Sequence, residues 1–468
     1  MNYILHNFNA YCVTIFALLV FLTVIKIFKS IFGILDKSTG RSKKGKIIML
    51  KENNVEAGAS KQAIIITLVL CFIFAIIEGF DLQSMGVAAP RMKAEMFLNS
   101  AEMGWVFSAA VLGTLPGALI AGRIADSIGR KKVFITSIAI FGLMSLLTPF
   151  TRDLNSLLLV RFLTGLGMGG ALPIVITMVS EAVPEKYKAT AVSAMYCGMP
   201  IGGVLTSVVA LSLTADHEWR HIFYIGGIAP LILVPILILF LPESKAYLNK
   251  IPQVKTQKQS VLSVLFAKPR VVVTSSLWLS FFGTLLVLAL FQNWLPTLIS
   301  GLGLNKQQAS YIQIGFNLGG SIGVLILGLM LDRFNKFFIV TCVYAGILAS
   351  LIGLAYSNSA SSFILFATSC GMFVIGCQSI LYTLAAKYYP TEMRGTGVGA
   401  AVAVGRLGAF AGPLVAGYLL GTGQSEIVVI ASSIPMILLA AISALILLRK
   451  PEHSVNRKEP LGTVTSSL

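Results

Sequence analysis

Apolar runs of about 20 residues follow one another from residue 63 to residue 448, and each is long enough to cross the hydrocarbon core of a bilayer as a helix. In lipid a backbone must satisfy its own polar groups, which leaves helices and closed barrels as the spanning structures. Runs this long and continuous are helical. The chain is 56% hydrophobic and 12% charged, against about a quarter charged in a soluble domain, so a soluble fold is excluded. Twelve spans are expected near 63–89, 102–125, 131–150, 154–180, 188–213, 220–241, 271–296, 307–331, 337–356, 362–386, 394–421 and 426–448. The fold class is all-α integral membrane, twelve transmembrane helices in two six-helix bundles.

The net charge of +17 would suggest nucleic acid in a soluble protein. Here the basic residues sit in short gaps between apolar runs, so no nucleic-acid partner is expected. One set of gaps holds Arg130, Lys131, Lys132, Lys186, Lys188, Arg333, Lys336, Lys387, Arg394, Arg449 and Lys450, together with the stretch carrying Lys245, Lys250, Lys255, Lys258 and Lys268. The opposite set holds Arg91, Lys93, Arg152, Arg220 and Lys306. By the positive-inside rule the core termini and central linker are cytoplasmic, in a multi-pass protein of the cell (inner) membrane. The expected divisions are an extension over 1–61, a first bundle over 62–241, a basic linker over 242–270, a second bundle over 271–449 and a tail over 450–468. Within the extension, the apolar run from Tyr11 to Ile25 and the basic residues after it fit a thirteenth helix, a signal-like or interfacial segment, or a start placed too early, with Met49 the true one.

An internal repeat supports two related halves. Gly122 and Asp126 recur as Gly328 and Asp332, and Pro184, Lys188, Thr190 and Val192 recur as Pro390, Arg394, Thr396 and Val398; 328 − 122 and 390 − 184 both give 206. Two such units with a site between them suit a transporter whose halves rock about the substrate.

Ionisable residues at mid-membrane cost about 2.5–3.5 kcal/mol on insertion scales and need a reason. Glu78, Asp81, Arg161 and Arg406 all fall inside expected helices. The offset of 206 maps Glu78 to Thr284, Asp81 to Val287, Arg161 to Ala367 and Arg406 to Pro200, so none of these charges is duplicated. Glu78 and Asp81 are three apart and can share one side of a helix. The readiness of such a carboxyl to hold a proton follows the water and cations around it. Glu78 and Asp81 are therefore the candidates for proton coupling. Arg406 offers a planar fork suited to a carboxylate, and Arg161 is a candidate buried charge partner. The competing reading is that these four charges neutralise one another in static pairs.

The segment from Gly122 through Arg123, Asp126 and Gly129 to Arg130, Lys131 and Lys132 resembles the signature loop of the major facilitator superfamily. The resemblance implies a gating loop at Gly122, Asp126, Gly129 and Arg130, with a second copy at Gly328 and Asp332. That copy departs from the pattern in Asn335 and Lys336, which argues against a symmetrical latch. Arg161 with Gly165, Gly167 and Gly169 is similar to the family's fourth-helix motif, and the stretch from Pro390 to Gly395 to its loop before the eleventh helix. The segments Glu78–Gln83, Met195–Gly202 and Gly395–Gly408 resemble the aromatic acid:proton symporters within that superfamily, most closely its hydroxyphenylpropionate transporters. Relatives often carry two aspartates in the first helix; here Glu78 fills the first position. The resemblance implies import of a small aromatic carboxylate coupled to protons.

Such a substrate needs a cation for its carboxylate, flat side chains for its ring and donors for a hydroxyl. Arg406 supplies the first; Tyr196, Phe80, Trp294 and Tyr382 are candidates for the second, and Asn293 and Gln378 for the third. Trp105 and Trp219, near helix ends, read as interfacial anchors. The six cysteines lack metal-ligand spacing and read as buried thiols. No cofactor, no metal and no enzymatic activity are expected. The alternative is a metabolite or drug:proton antiporter on the same fold, suggested by the run from Gly198 to Gly203. Arg406 would repel a cationic cargo and weighs against it.

Overall fold

The computed structural model describes residues 50–184, 187–213, 218–244, 265–266, 270–389 and 394–450, with the side chains of 50–61, 126, 189, 329, 332, 394 and 395 left aside. The extension over 1–49 and the tail over 451–468 lie outside this description. Twelve described helices are long and apolar enough to cross a membrane. They are α1 (Leu50–Glu95), α2 (Ser100–Ile128), α3 (Arg130–Leu147), α4 (Leu154–Ala182), α5 (Lys188–Tyr196 and Gly198–Leu211), α6 (Trp219–Phe240), α7 (Val271–Gly301), α8 (Lys306–Arg333), α9 (Lys336–Ala355), α10 (Ala360–Tyr388), α11 (Arg394–Gly421) and α12 (Glu426–Leu448).

The break in α5 has a local cause. Pro200 lacks the N–H that would bond to the Tyr196 carbonyl, and the helix restarts at Gly198. There a side chain would crowd Ala75 and the Phe72 carbonyl on α1. Helix starts are capped where the chain leaves the membrane. Asn99 with Glu102 and Asn305 with Gln308 form reciprocal capping boxes on α2 and α8. Asp153 and Ser359 cap α4 and α10.

The first six helices pack on one another, as do the last six. Close packing rests on glycines at which a Cβ would strike the facing backbone: Gly113 and Gly165 join α2 to α4, while Gly319 and Gly371 join α8 to α10. Contacts between the bundles join α2 to α11, α5 to α8 and α1 to α7. They draw on the half of each helix away from the linker. Gly104 lies against Pro413 and Gly417, and Gly86 against Gln292 and Asn293. Ser108 Oγ donates to the Phe410 carbonyl at 2.7 Å. The Trp105 ring packs on Phe410, centroids 6.2 Å apart.

Trp219 corrects its sequence reading. It is fully buried, and its Nε1 donates to Glu95 Oε2 at 2.7 Å. With Arg220, which also donates to Glu95, it ties the end of α1 to the start of α6. Hydropathy places a tryptophan near a helix end but does not show the carboxylate waiting for its N–H.

Candidate functional site

Asp81 lies wholly inside the first bundle. Ser145 Oγ on α3 donates to its Oδ1 at 2.7 Å, and Arg161 Nη2 on α4 donates to its Oδ2 at 3.1 Å. The Arg161 guanidinium sits 5.8 Å from the centroid of the Phe223 ring on α6. Both members of the ion pair are almost fully shielded from solvent, so Asp81, Ser145 and Arg161 join three helices in one charge-assisted network. Phe80 is buried within the same bundle, its ring beside Gly226; its carbonyl accepts from Thr206 at 2.8 Å.

Glu78, one turn of α1 nearer the linker, is arranged differently. The residue is 3% exposed, yet its carboxylate Oε2 has no hydrogen-bond partner. It feels the charges of Arg406 on α11, in the opposite bundle, and of Asp81. The half-buried rings of Tyr196 on α5 and Tyr382 on α10 stack across the bundle interface, centroids 6.3 Å apart and planes 28° apart. Both tyrosines lie within the electrostatic reach of Glu78 and Arg406. Tyr382 also meets Phe281 edge-on at 5.4 Å and bonds to Gln378. Glu78, Arg406, Tyr196, Tyr382 and Gln378 are thus brought together from both bundles.

Trp294 and Asn293 are not part of that group. Trp294 is fully buried, with Nε1 donating to the Pro413 carbonyl at 3.0 Å and its ring edge-on to Phe107. Asn293 Nδ2 donates to Ala289 O on its own helix at 2.8 Å. Both stand where the bundles close on each other, away from the linker.

Sequence reasoning passed over a second polar contact between the bundles. Gln313 Nε2 on α8 donates to Gln83 Oε1 on α1 at 2.5 Å, and Gln83 Nε2 donates to Asn317 Oδ1 at 3.2 Å. All three amides are buried. The signal was available: the offset of 206 turns Gln83, Gln313 and Asn317 into Ala289, Phe107 and Val111, the same lack of duplication that marked the charges.

At the linker end, Gly129 joins α2 to α3 with φ +101°, a backbone that favours glycine. The Arg130 guanidinium pairs with Glu181 on α4. Glu243 Oε1 accepts from the Arg130 and Lys131 backbone N–H groups at 3.0 Å each, and Ser244 Oγ donates to Glu181 at 2.5 Å. The first residues expected in the linker are therefore docked onto the first bundle. Gly122 and Gly328 both face open space. The side chains of Asp126 and Asp332 lie outside the described set. In the second copy the positions of Arg130, Glu181 and Glu243 are taken by Lys336, Lys387 and Arg449, so the acids of this clamp have no counterparts there. Among the described residues no cluster of three or more His, Cys, Asp or Glu side chains is placed to hold a metal ion.

The chain is 42% identical to the 3-(3-hydroxy-phenyl)propionate transporter of Escherichia coli, covering 84% of this chain and 96% of that protein. It is 34% identical to the 4-hydroxybenzoate transporter PcaK of Pseudomonas aeruginosa, covering 76% and 86%. Among solved structures it is similar to a D-xylose-proton symporter, with TM-score 0.68 at 16% identity over 83% of this chain and 98% of that one. The family model described as Major Facilitator Superfamily matches residues 71–413 and 302–467, and the chain belongs to that superfamily.

Proposed function

We propose that this transporter imports a small aromatic carboxylate together with protons. The observation that carries the reading is that Arg406 of one bundle lies within electrostatic reach of Glu78 of the other, beside the stacked Tyr196 and Tyr382. A carboxylate approaching Arg406 gains a charge-assisted bidentate contact, and the tyrosine rings suit an aromatic body. A substrate carboxylate and an ionised Glu78 repel each other near one cation, so binding favours a proton on Glu78. That mutual dependence couples the two cargoes without a further device. Asp81 already has both oxygens engaged by Ser145 and Arg161. Glu78 is accordingly the first proton acceptor, and Asp81 its neighbour in the same field. The names of the similar transporters, for hydroxyphenylpropionate and 4-hydroxybenzoate, support the substrate class.

With the linker end cytoplasmic, as the loop charges favour, the contacts of α2 with α11 and α1 with α7 close the outer side. This conformation then faces inward, and the Tyr196–Tyr382 stack lies on the route of release. The test is uptake of radiolabelled 3-(3-hydroxyphenyl)propionate and benzoate by cells with equal surface expression, with and without a protonophore. Arg406→Ala should abolish uptake. Glu78→Gln should lose uncoupler-sensitive accumulation while keeping exchange of substrate across the membrane. Wild-type uptake no higher than in vector controls would sink the aromatic assignment, and accumulation indifferent to the protonophore would sink proton coupling.

A further inference from the structure

The direction of the amide network between α1 and α8 is fixed at one end. Asn317 Nδ2 donates to the backbone carbonyl of Gln313 at 3.0 Å, and a carbonyl can only accept. Asn317 Oδ1 must then be the acceptor for Gln83 Nε2, and Gln83 Oε1 the acceptor for Gln313 Nε2. The donors thus run from Gln313 Nε2 through Gln83 and Asn317 back to the Gln313 carbonyl, which leaves Gln313 Oε1 buried and without a partner. Turning the Gln313 amide over would set two carbonyl oxygens against each other, so the open position is an acceptor. A buried acceptor without a donor is costly.

Its place relative to the aromatic pair follows from two helices. Gly203 on α5 lies against Asn317 and Gln83, and it stands seven residues beyond Tyr196. Across the break at Cys197 the chain still rises about 10 Å between the two positions, toward the end of α5 away from the linker. On α1, Gln83 is five residues beyond Glu78, a rise of about 7.5 Å. The amides therefore cap the site on the side away from the linker, while Arg406 and Glu78 hold its charged end. A carboxylate would be repelled by a bare carbonyl oxygen, but a hydroxyl would supply the missing donor.

We propose that Gln313 is a specificity-determining residue that accepts a hydrogen bond from a ring hydroxyl of the substrate, selecting hydroxylated aromatic acids over unsubstituted ones. This rests on the reading of the site as an aromatic carboxylate site. A site built to bond a hydroxyl discriminates strongly against the analogue lacking it, because its own polar group is left unpaired.

The test measures uptake of 3-(3-hydroxyphenyl)propionate and 3-phenylpropionate by wild-type protein and by Gln313→Met, which keeps the volume but removes the acceptor. Wild type should prefer the hydroxylated acid by about tenfold or more, the equivalent of about 1.4 kcal/mol. Gln313→Met should erase most of that ratio while still carrying 3-phenylpropionate, and Gln313→Glu, which retains an acceptor oxygen, should keep a preference. Competition by the two acids on the wild-type protein alone gives the same ratio if the variants fail to reach the membrane. An unchanged ratio in Gln313→Met overturns the proposal, as does an equal loss for both acids, which would make the amides a simple latch. An absence of any preference in wild type overturns it while leaving the aromatic acid reading intact. Transport of neither acid overturns both.

Discussion

In the first bundle Gly113 and Gly117 on α2 approach the carbonyls of Phe162 and Leu166, and Gly165 on α4 approaches that of Ala110. In the second, Gly319, Gly323 and Gly371 approach the carbonyls of Thr368, Met372 and Phe316. Every residue and every carbonyl in the second set lies 206 positions after its counterpart in the first. The buried polar groups obey no such rule. Asp81, Ser145 and Arg161 form a charged network in the first bundle. In the second, Thr284 at the position of Glu78 bonds to Tyr344 at 3.1 Å, and Tyr344 also reaches Cys377. Duplication kept the geometry that lets helices touch. It let the interior chemistry diverge, which is the latitude a transporter needs if one half is to handle protons.

The comparison breaks most severely at Arg161. Removing one member of a buried pair leaves an uncompensated charge, at a cost of about 3–5 kcal/mol. Arg161→Ala should sharply lower the thermal unfolding temperature of detergent-purified protein, and adding Asp81→Asn should recover much of the loss. If the single variant is as stable as wild type, the network contributes little to holding the first bundle. The neutral cluster of the second bundle has no partner capable of such an effect.

Glycine substitutions come next, and here the halves should agree. A Cβ at Gly165 or Gly371 would collide with a backbone carbonyl of the facing helix, and crowding of this kind costs about 1–3 kcal/mol. Gly165→Ala and Gly371→Ala should destabilise to a similar degree in the same unfolding assay. A large difference between them would show that the two interfaces, alike in geometry, differ in their capacity to yield.

A smaller effect is expected at Tyr344, where the hydroxyl bonds to Thr284 but carries no charge. Tyr344→Phe should cost about 1 kcal/mol and leave the proposed proton-coupled uptake unchanged. Loss of coupling in that variant would bring the second bundle into the proton pathway and erase the division of labour.

Much of this architecture was legible in the sequence because a membrane admits few solutions. Long apolar runs forced the helices, and the recurrence of Gly122 and Asp126 as Gly328 and Asp332 exposed the two halves. Glu78 and Arg406 were legible because a charge inside an apolar run is conspicuous by itself. What stayed hidden depended on partners distant in the chain. The spacing of Glu78 and Asp81 suggested a shared side, but it could not show that Arg161 and Ser145 occupy Asp81 and leave Glu78 open. Gln83, Gln313 and Asn317 escaped notice because an uncharged amide in a helix is unremarkable until its partners are known.

The divergence between the halves reaches the helix ends, where the expected effect is smallest. The capping boxes of α2 and α8 use Glu102 and Gln308 at equivalent positions, and the caps of α4 and α10 use Asp153 and Ser359. In each pair the first half carries an acid and the second a neutral group. Asp153 accepts from the Ser156 backbone N–H at 2.9 Å, and that bond, followed by one from the Ser156 hydroxyl, holds its carboxyl below the ordinary aspartate range. A carboxyl lowered on folding contributes stability above its unfolded value, and that contribution fades as pH falls through the folded value. Ser359 has nothing to titrate. Protection of the amides at the start of α4, taken relative to their intrinsic exchange rate at each pH, should therefore fall on acidification below about pH 4, while the start of α10 shows no such acid step. Asp153→Ser should make the two ends alike. An acid step of the same size at α10 in the wild-type protein would place its origin outside the caps, and the parallel between cap charge and core charge would end at the bilayer surface.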